Sequence, residues 1–317
     1  MIRLGLIRNP RSQRNRSSHG DMAGRAAEML GLFYAEPATP AELTEVLADF
    51  ARNEVGIIVV DGGDGTVREV LTALPEAYGD QQPMLSILAS GKTNLIAADV
   101  GTTGHGTRAF CRLVEEARRG YLGSHIQRRP VLEATWADGS RPPVRGMFMG
   151  TAAFTRGTAL AQEKVHSRGL YQGPAVALTI AGALARALRG KDGWLDGEPM
   201  NVVVDGSNGP EANRFLFLAT TLHRLVLGIW PFWGEGREPI RYLDISAHPE
   251  SLHRAVVPLM RGRPEPFMLA DGYRSGVAET LTLGIRSPFV VDGEMFDPGP
   301  GGTVHLSAGR SMDFVIP

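Results

Sequence analysis

The 317 residues predict an α/β domain followed by a largely antiparallel β domain. Three observations carry this. Residues 1–122 alternate short apolar runs with amphipathic stretches, the pattern of a parallel sheet covered by helices on both faces. Beyond them, Asp-Gly turn signals recur between β-branched and aromatic runs. At the end of the third apolar run stands VVDGGDGTVREV, residues 59–70, with its glycines and aspartates packed between a buried-type strand and a helix-like pattern.

In the first part, strands are expected at 2–8, 32–35, 56–60 and 84–88. Helices are expected at 40–52, where Leu43, Val46, Leu47 and Phe50 share a face, at 66–74, and at 107–119, stopped by Gly120. In the second part, turns fall at Asp138-Gly139, Asp192-Gly193, Asp205-Gly206, Asp271-Gly272 and Asp292-Gly293. The runs ANRFLFLATTL and VAETLTLGIR read as antiparallel strands, and helical insertions are expected at 174–188 and 249–260. The domains are therefore set at 1–122 and 123–317, the last residues packing back on the first domain. No repeat period stands out.

Bulk properties exclude several classes. The net charge of −1 gives no basic field for nucleic acid. The single Cys111 forms no internal disulfide and fits a reducing, cytoplasmic compartment. MIRLGLIRNP carries no charged-then-apolar leader, so no signal peptide is expected. The most apolar long stretch, GPAVALTIAGALARAL, is broken by Arg186 and is shorter than the ~20 residues a membrane span needs. A chain that is soluble, or that touches a membrane surface, is the expectation. No HExxH, paired cysteines or nucleophile elbow occurs, and the eight histidines are scattered.

Glycine costs backbone entropy on folding, so Gly62-Gly63 and Gly65 need a reason. They sit where a strand ends and a helix begins, the place where open α/β sheets bind ligands. Amide groups and the helix dipole favour an anion there, and missing side chains let phosphate approach the backbone. Asp64 repels a bare phosphate, so it implies a bound Mg²⁺ or a hydroxyl to orient. The plainer reading is a βα turn with an Asp or Thr66 as N-cap. SILASGKT has the tail of a P-loop but Ser86 where its first glycine belongs.

GGDGT after an apolar strand resembles the signature of the diacylglycerol kinase catalytic domain, shared by sphingosine and ceramide kinases and their bacterial relatives. NAD kinases carry a near-identical loop. Three further stretches resemble the lipid kinases: LIRNPRSQRN, LSILASGKTNLIAADVG and FVVDGEMFDPGPGGTVHLSAGRSMDFVIP. The resemblance implies an α/β nucleotide-binding domain of the NAD kinase and diacylglycerol kinase type, followed by a mainly antiparallel β-sandwich. It implies an ATP- and Mg²⁺-dependent kinase acting on a hydroxyl of diacylglycerol or a similar membrane lipid, with peripheral contact at the inner membrane surface. A ceramide or sphingoid-base kinase, or a nucleotide-binding regulatory protein that has lost catalysis, are the alternatives. Whether the chain forms a homodimer is left open.

By the same resemblance, Asn9, Thr39, Gly62, Gly63, Asp64, Gly65, Thr66, Gly91, Lys92, Thr93 and Asn94 bind ATP. Asp64 organises Mg²⁺ through the phosphates, and Glu294, with Asp292 before it, is the base. Sphingosine kinases give the base role to the position of Asp64 instead. A second Asp196-Gly197-Glu198 is read as a hairpin turn. The chain departs from the pattern at Lys92, which replaces a Thr, and at Leu95, which replaces an Asp. Lys92 reads about equally as a phosphate contact and as a solvent-facing side chain, and the rarity of lysine here, only Lys92, Lys164 and Lys191, tips it slightly towards the phosphate contact. Arg8, Arg11, Arg14 and Arg16 flank Asn9 as further phosphate candidates. WPFWGEGREPIRYLDI lacks the paired aspartates of the family's structural Mg²⁺ site. LVLGIWPFWGEG is either a core aromatic corner or an acyl-chain cleft at a membrane surface.

Overall fold

The computed structural model describes residues 2–17, 21–102, 104–122, 125–168, 193–209, 211–225 and 228–316. The helical insertion expected at 174–188, the apolar stretch around it, Asp192, Lys191, Val226 and Leu227 lie outside the described residues. Two compact units divide the chain: residues 1–129 with 311–317, and residues 130–310.

The first unit is a parallel sheet. β1 (Arg3–Arg8) leads through α1 (Gln13–Ser17) and α2 (Asp21–Leu30) to β2 (Tyr34–Ala35). α3 (Pro40–Arg52), β3 (Val55–Gly62), α4 (Asp64–Tyr78) and β4 (Met84–Ala89) follow, then α5 (Leu95–Val100) and α6 (Gly106–Arg118). β1 pairs in parallel with β2 and β3, and β3 with β4. Phe314, near the end of the chain, adds a parallel contact at Leu85. Side chains of the central strands alternate between two buried faces. Leu4, Leu6, Ile57 and Val59 meet α2 and α6 through Met22, Ala26, Phe110 and Leu113.

The opposite face shows how closely the layers fit. α3 begins at an N-cap, Thr39, whose hydroxyl accepts the Glu42 amide at 3.2 Å, while the Glu42 carboxylate accepts the Ala38 amide at 2.8 Å. Pro40 fills the first turn, where its missing N–H costs nothing. Leu43, Leu47 and Phe50 form the buried stripe. The Phe50 ring lies over Gly5 of β1, and a Cβ there would stand 2.5 Å from a ring carbon.

Two elements differ from expectation. Leu32 and Phe33 belong to a 3-10 turn, Gly31–Phe33, leaving a two-residue β2, because Leu32 points outward and is 94% exposed. α4 runs beyond the expected 66–74, starting at Asp64 and ending at Gly79, whose φ of +59° suits glycine.

The second unit contains the later residues of β5 (Ile126–Trp136), then β6 (Val144–Gly146), β7 (Phe148–Ala152) and α7 (Ala153–Arg168). β8 (Glu198–Val204), β9 (Ser207–Asn208), β10 (Ala212–Thr220) and β11 (Ile240–Ser246) come next. They are followed by α8 (Leu252–Met260), α9 (Pro266–Ala270), β12 (Tyr273–Ala278), β13 (Thr280–Ile285), β14 (Phe289–Val291), β15 (Glu294–Phe296) and the earlier residues of β16 (Thr303–Val315), whose last residues belong to the first unit. The strand pairs here are antiparallel, and their inner residues, among them Trp136, Phe217, Leu283 and Phe289, share one core. VAETLTLGIR is two strands, not one. The Asp205 carboxylate accepts the amides of Glu279 and Thr280 at 2.9 and 2.8 Å and breaks the run there. α7 is an unexpected helix, since its apolar residues form no clean stripe.

Gly5→Ala should lower stability by about 1–3 kcal/mol through overpacking against Phe50. Chemical denaturation of Gly5→Ala, Phe50→Leu and the double variant should show the double losing less than the sum of the singles. Strict additivity would refute the contact.

Candidate functional site

The loops after β1, β3 and β4 open at the carboxyl ends of parallel strands, where such sheets bind ligands. Hydrogen bonds tie them together. Asn9 donates from its backbone to Asp61 O at 2.9 Å, and from its side-chain Nδ2 to Thr66 Oγ1 at 3.0 Å. Asn15 Nδ2 donates to the carbonyls of Asn9 and Asp61 at 2.9 and 3.3 Å. Ser90 N donates to Gly62 O, and Arg14 reaches the carbonyls of Ser90 and Ala89.

The glycine loop is joined to the 91–96 segment by one carboxylate. Asp64 Oδ2 and Oδ1 accept the amides of Leu95 and Ile96 at 3.0 and 2.9 Å, so Asp64 caps α5 from another element. Asn94, the formal N-cap with φ of +52°, is occupied elsewhere: its side chain accepts the Gly91 amide and donates to the Gly91 carbonyl. Burial raises the Asp64 carboxyl above its ordinary value, and the Ile96 and Leu95 amides oppose that rise.

The three glycines of GGDGT have different reasons to be small. A Cβ on Gly62 would meet the Thr66 side chain at 2.5 Å. A Cβ on Gly63 would meet Gly91 Cα at 2.9 Å, and one on Gly91 would meet Gly63 Cα at 2.4 Å. At Gly65 a Cβ would meet nothing within 4 Å. Its smallness is not imposed by protein packing. Gly63 is the N-cap of α4 and offers no side-chain cap, unlike the Asp or Thr66 cap of the plainer reading.

A cleft of about 170 Å³ borders these loops, lined among others by Asn9, Thr39 and Thr66 together with Arg8, Glu36 and Glu69. Thr39 enters it as the N-cap of α3. The structure thus gathers Asn9, Thr39 and Thr66 at one cleft, and Gly62, Gly63, Asp64, Gly91 and Asn94 in the joined loops beside it. Thr93 is half-buried in the same segment, and Lys92 is exposed there.

Sequence reasoning missed the charged floor of this region. Asp61 is fully buried at the end of an apolar strand, with Ser90 Oγ donating to its Oδ1 at 2.5 Å and Arg8 Nε 3.2 Å from its Oδ2. Arg8 Nη1 also donates to Glu36 Oε1 at 2.6 Å, and the Tyr34 hydroxyl donates to the same oxygen. The signal was present: an acid closing the run IIVVD. Burial raises the Asp61 carboxyl, against the hydrogen bonds of Ser90 and Asn15 and the charge of Arg8.

In the second unit the two Asp-Gly-Glu turns differ. Asp292 has φ of +44°, and its carboxylate accepts the amides of Met147 and Phe148 at 2.9 and 3.0 Å. Glu294, first residue of β15, is exposed. At the other turn, Glu198 Oε1 lies 3.5 Å from Arg156 Nε and its side chain is 14% exposed. In the aromatic run, Phe232 is buried in the fold with Trp230 edge-on to it at 5.1 Å, and Trp233 is half-buried.

Asp61 supplies a pH test. A carboxyl raised in the folded state contributes stability below its ordinary value near ~4 and loses it as pH climbs through the raised value. Asp61→Asn should therefore gain in Tm relative to the unaltered protein between pH 5 and pH 7. A difference in Tm that stays constant across this range would contradict that account.

Residues 3–122 match the family model described as diacylglycerol kinase catalytic domain. Proteins named "Probable lipid kinase YegS" from Shigella flexneri and Escherichia coli are 47% identical over 47 residues, 15% of this chain. That aligned stretch spans 16% of the relatives' own length. A solved structure described as a diacylglycerol kinase from Bacillus anthracis str. Sterne superposes with a TM-score of 0.58 at 15% identity, over 99% of this chain and 97% of that one. Yeast NADH kinase complexed with NADH does so with a TM-score of 0.51 at 10% identity, over 100% and 84%. These likenesses agree with an N-terminal α/β domain followed by a mainly antiparallel β domain. By sequence, residues 3–122 are similar to the diacylglycerol kinase catalytic domain, and the solved structures show the likeness of fold.

Proposed function

We propose that the chain is an ATP-dependent lipid kinase that transfers the γ-phosphoryl group to a hydroxyl of diacylglycerol or a similar membrane lipid. The observation that carries this reading is Gly65, a glycine in the first turn of α4 with open space where its side chain would stand. Glycine in a helix is disfavoured by about 1 kcal/mol against alanine, and an unhindered one in the first turn after a parallel strand, where such sheets bind ligands, supports a ligand at this backbone. The amides of a helix N-terminus supply what a phosphate needs. Asn9, Thr39, Gly62, Gly63, Thr66, Gly91, Thr93, Asn94 and the exposed Lys92 complete the ATP contacts of this proposal.

Mg²⁺ fits the donor set, because each Asp64 oxygen that accepts an amide keeps a second lone pair for a cation. When bound, the ion neutralises charge that develops on the phosphates. Asp64 itself holds the 91–96 segment and would be the side chain that holds the cation. Glu294 takes the acceptor proton; its exposure after the Asp292-locked turn supports it over the arginine-paired Glu198. The acceptor is reached from a membrane surface, on its cytoplasmic side. Among the described residues no helix is long and apolar enough to cross a membrane.

Gly65→Ala should leave Tm equal or raised while the KM for ATP rises about tenfold or more, because the new methyl occupies the phosphate's space. Unchanged ATP kinetics in this variant would remove the support for the loop as a phosphate site.

Transfer from labelled ATP to a panel of diacylglycerol, ceramide and sphingosine identifies the acceptor. On that acceptor, Glu294→Gln should lower kcat by about 10²–10⁴ with ATP affinity kept, and Glu198→Gln should do little. A dead Glu198→Gln beside an active Glu294→Gln would reverse the assignment.

A further inference from the structure

Glu36 stands immediately after β2 and has no part in the assignments above. Its Oε1 is held by Arg8 Nη1 at 2.6 Å and by the Tyr34 hydroxyl. Its Oε2 has no hydrogen-bond partner among the described residues, and the side chain is 33% exposed at the cleft it lines. A carboxylate fixed through one oxygen and open at the other is an oriented acceptor.

The charges of the cleft say what such an acceptor receives. Arg8 lies between Glu36 and Asp61, so its charge is already matched. The other acid lining the cleft is Glu69, and Arg11 lies at its exposed rim. Phosphate is disfavoured beside Glu36 and Glu69, whereas a neutral hydroxyl donor is welcome. Thr39 and Thr66 add hydroxyls, and Pro40 and Leu43 an apolar wall. The cleft therefore suits the nucleoside half of a nucleotide whose phosphates lie on the glycine loop.

Topology supports the same placement. β1 lies between β3 and β2, and all three run parallel. The loop after β2 is thus two strand spacings, about 10 Å, from the loop after β3, on the same edge of the sheet. A nucleoside triphosphate covers that span. In other open α/β sheets an acid placed after the second strand receives a ribose hydroxyl.

We infer that Glu36 Oε2 accepts a hydrogen bond from a ribose hydroxyl of the bound nucleotide, so that the chain discriminates ribonucleotides from their deoxy analogues. The inference rests on the ATP-binding reading above. Arg8 and Tyr34 are positioning residues that hold the carboxylate in place.

Calorimetric titration of the full chain with ATP, 2′-deoxy-ATP and 3′-deoxy-ATP tests it without any assay of activity. At least one deoxy analogue should bind about tenfold to a hundredfold more weakly than ATP, the range for a hydrogen bond to a charged group. In Glu36→Ala, ATP should weaken to the level of that analogue and the discrimination should vanish. Tyr34→Phe, which leaves the ion pair intact, should reduce the discrimination only in part. Equal binding of all three nucleotides to the unaltered protein would overturn the role of Glu36 while leaving ATP binding in place. Discrimination that persists undiminished in a folded Glu36→Ala would overturn it as well. No ATP binding at all would overturn the kinase reading together with it.

Discussion

Asp64 commits both carboxylate oxygens to the amides of Leu95 and Ile96, and the geometry of the α/β unit's ligand edge follows from that grip. α5 has six residues, too few to stand as an isolated helix, and its own N-cap side chain is turned back onto Gly91. Without Asp64 its first amides would lack those acceptors, at a cost of about 1–3 kcal/mol for each buried orphan. The grip also draws two backbones together, leaving no room for a Cβ between Gly63 and Gly91. One acid thus explains two glycines.

The same edge carries an unusual charge arrangement. A fully buried Asp61 is expensive unless paired, and the pairing comes from Arg8, one strand away. Because Arg8 also meets Glu36, one guanidinium serves two carboxylates and anchors the loop after β2 to the loop after β3. Bidentate reach of this kind is a property of arginine that lysine lacks. In a chain with only three lysines, that choice of cation is consistent with its general composition.

The α/β unit was legible where periodicity and burial agree. α3 was read to its boundaries because its cap, its proline and its apolar stripe all point the same way. β1, β3 and β4 were legible as apolar runs. The two-residue β2 was overread, since Leu32 is apolar yet exposed, and exposure is not written in a single residue. α7 was missed for the converse reason, a helix without a clean stripe. At the site, GGDGT was plain, but Asp61, Glu36 and Ser90 were not. Their roles arise from partners 28 to 46 residues away, which no local pattern reports.

The two Asp-Gly-Glu turns show how identical triplets acquire different surroundings. At 292–294 the aspartate adopts a left-handed backbone that non-glycine residues avoid at roughly 1–2 kcal/mol. Two charge-assisted hydrogen bonds from Met147 and Phe148 offset that strain, and a backbone bond from Asp292 to Phe148 closes the turn. The aspartate is therefore structural, and the glutamate two residues on is presented by a rigid support. At 196–198 the strained position is the glycine, at φ of +67° with the Arg214 carbonyl 2.6 Å from where a Cβ would stand. There the glutamate faces Arg156. The two glutamates thus differ in reach: Glu294 is exposed at its turn, whereas the Glu198 side chain is 14% exposed.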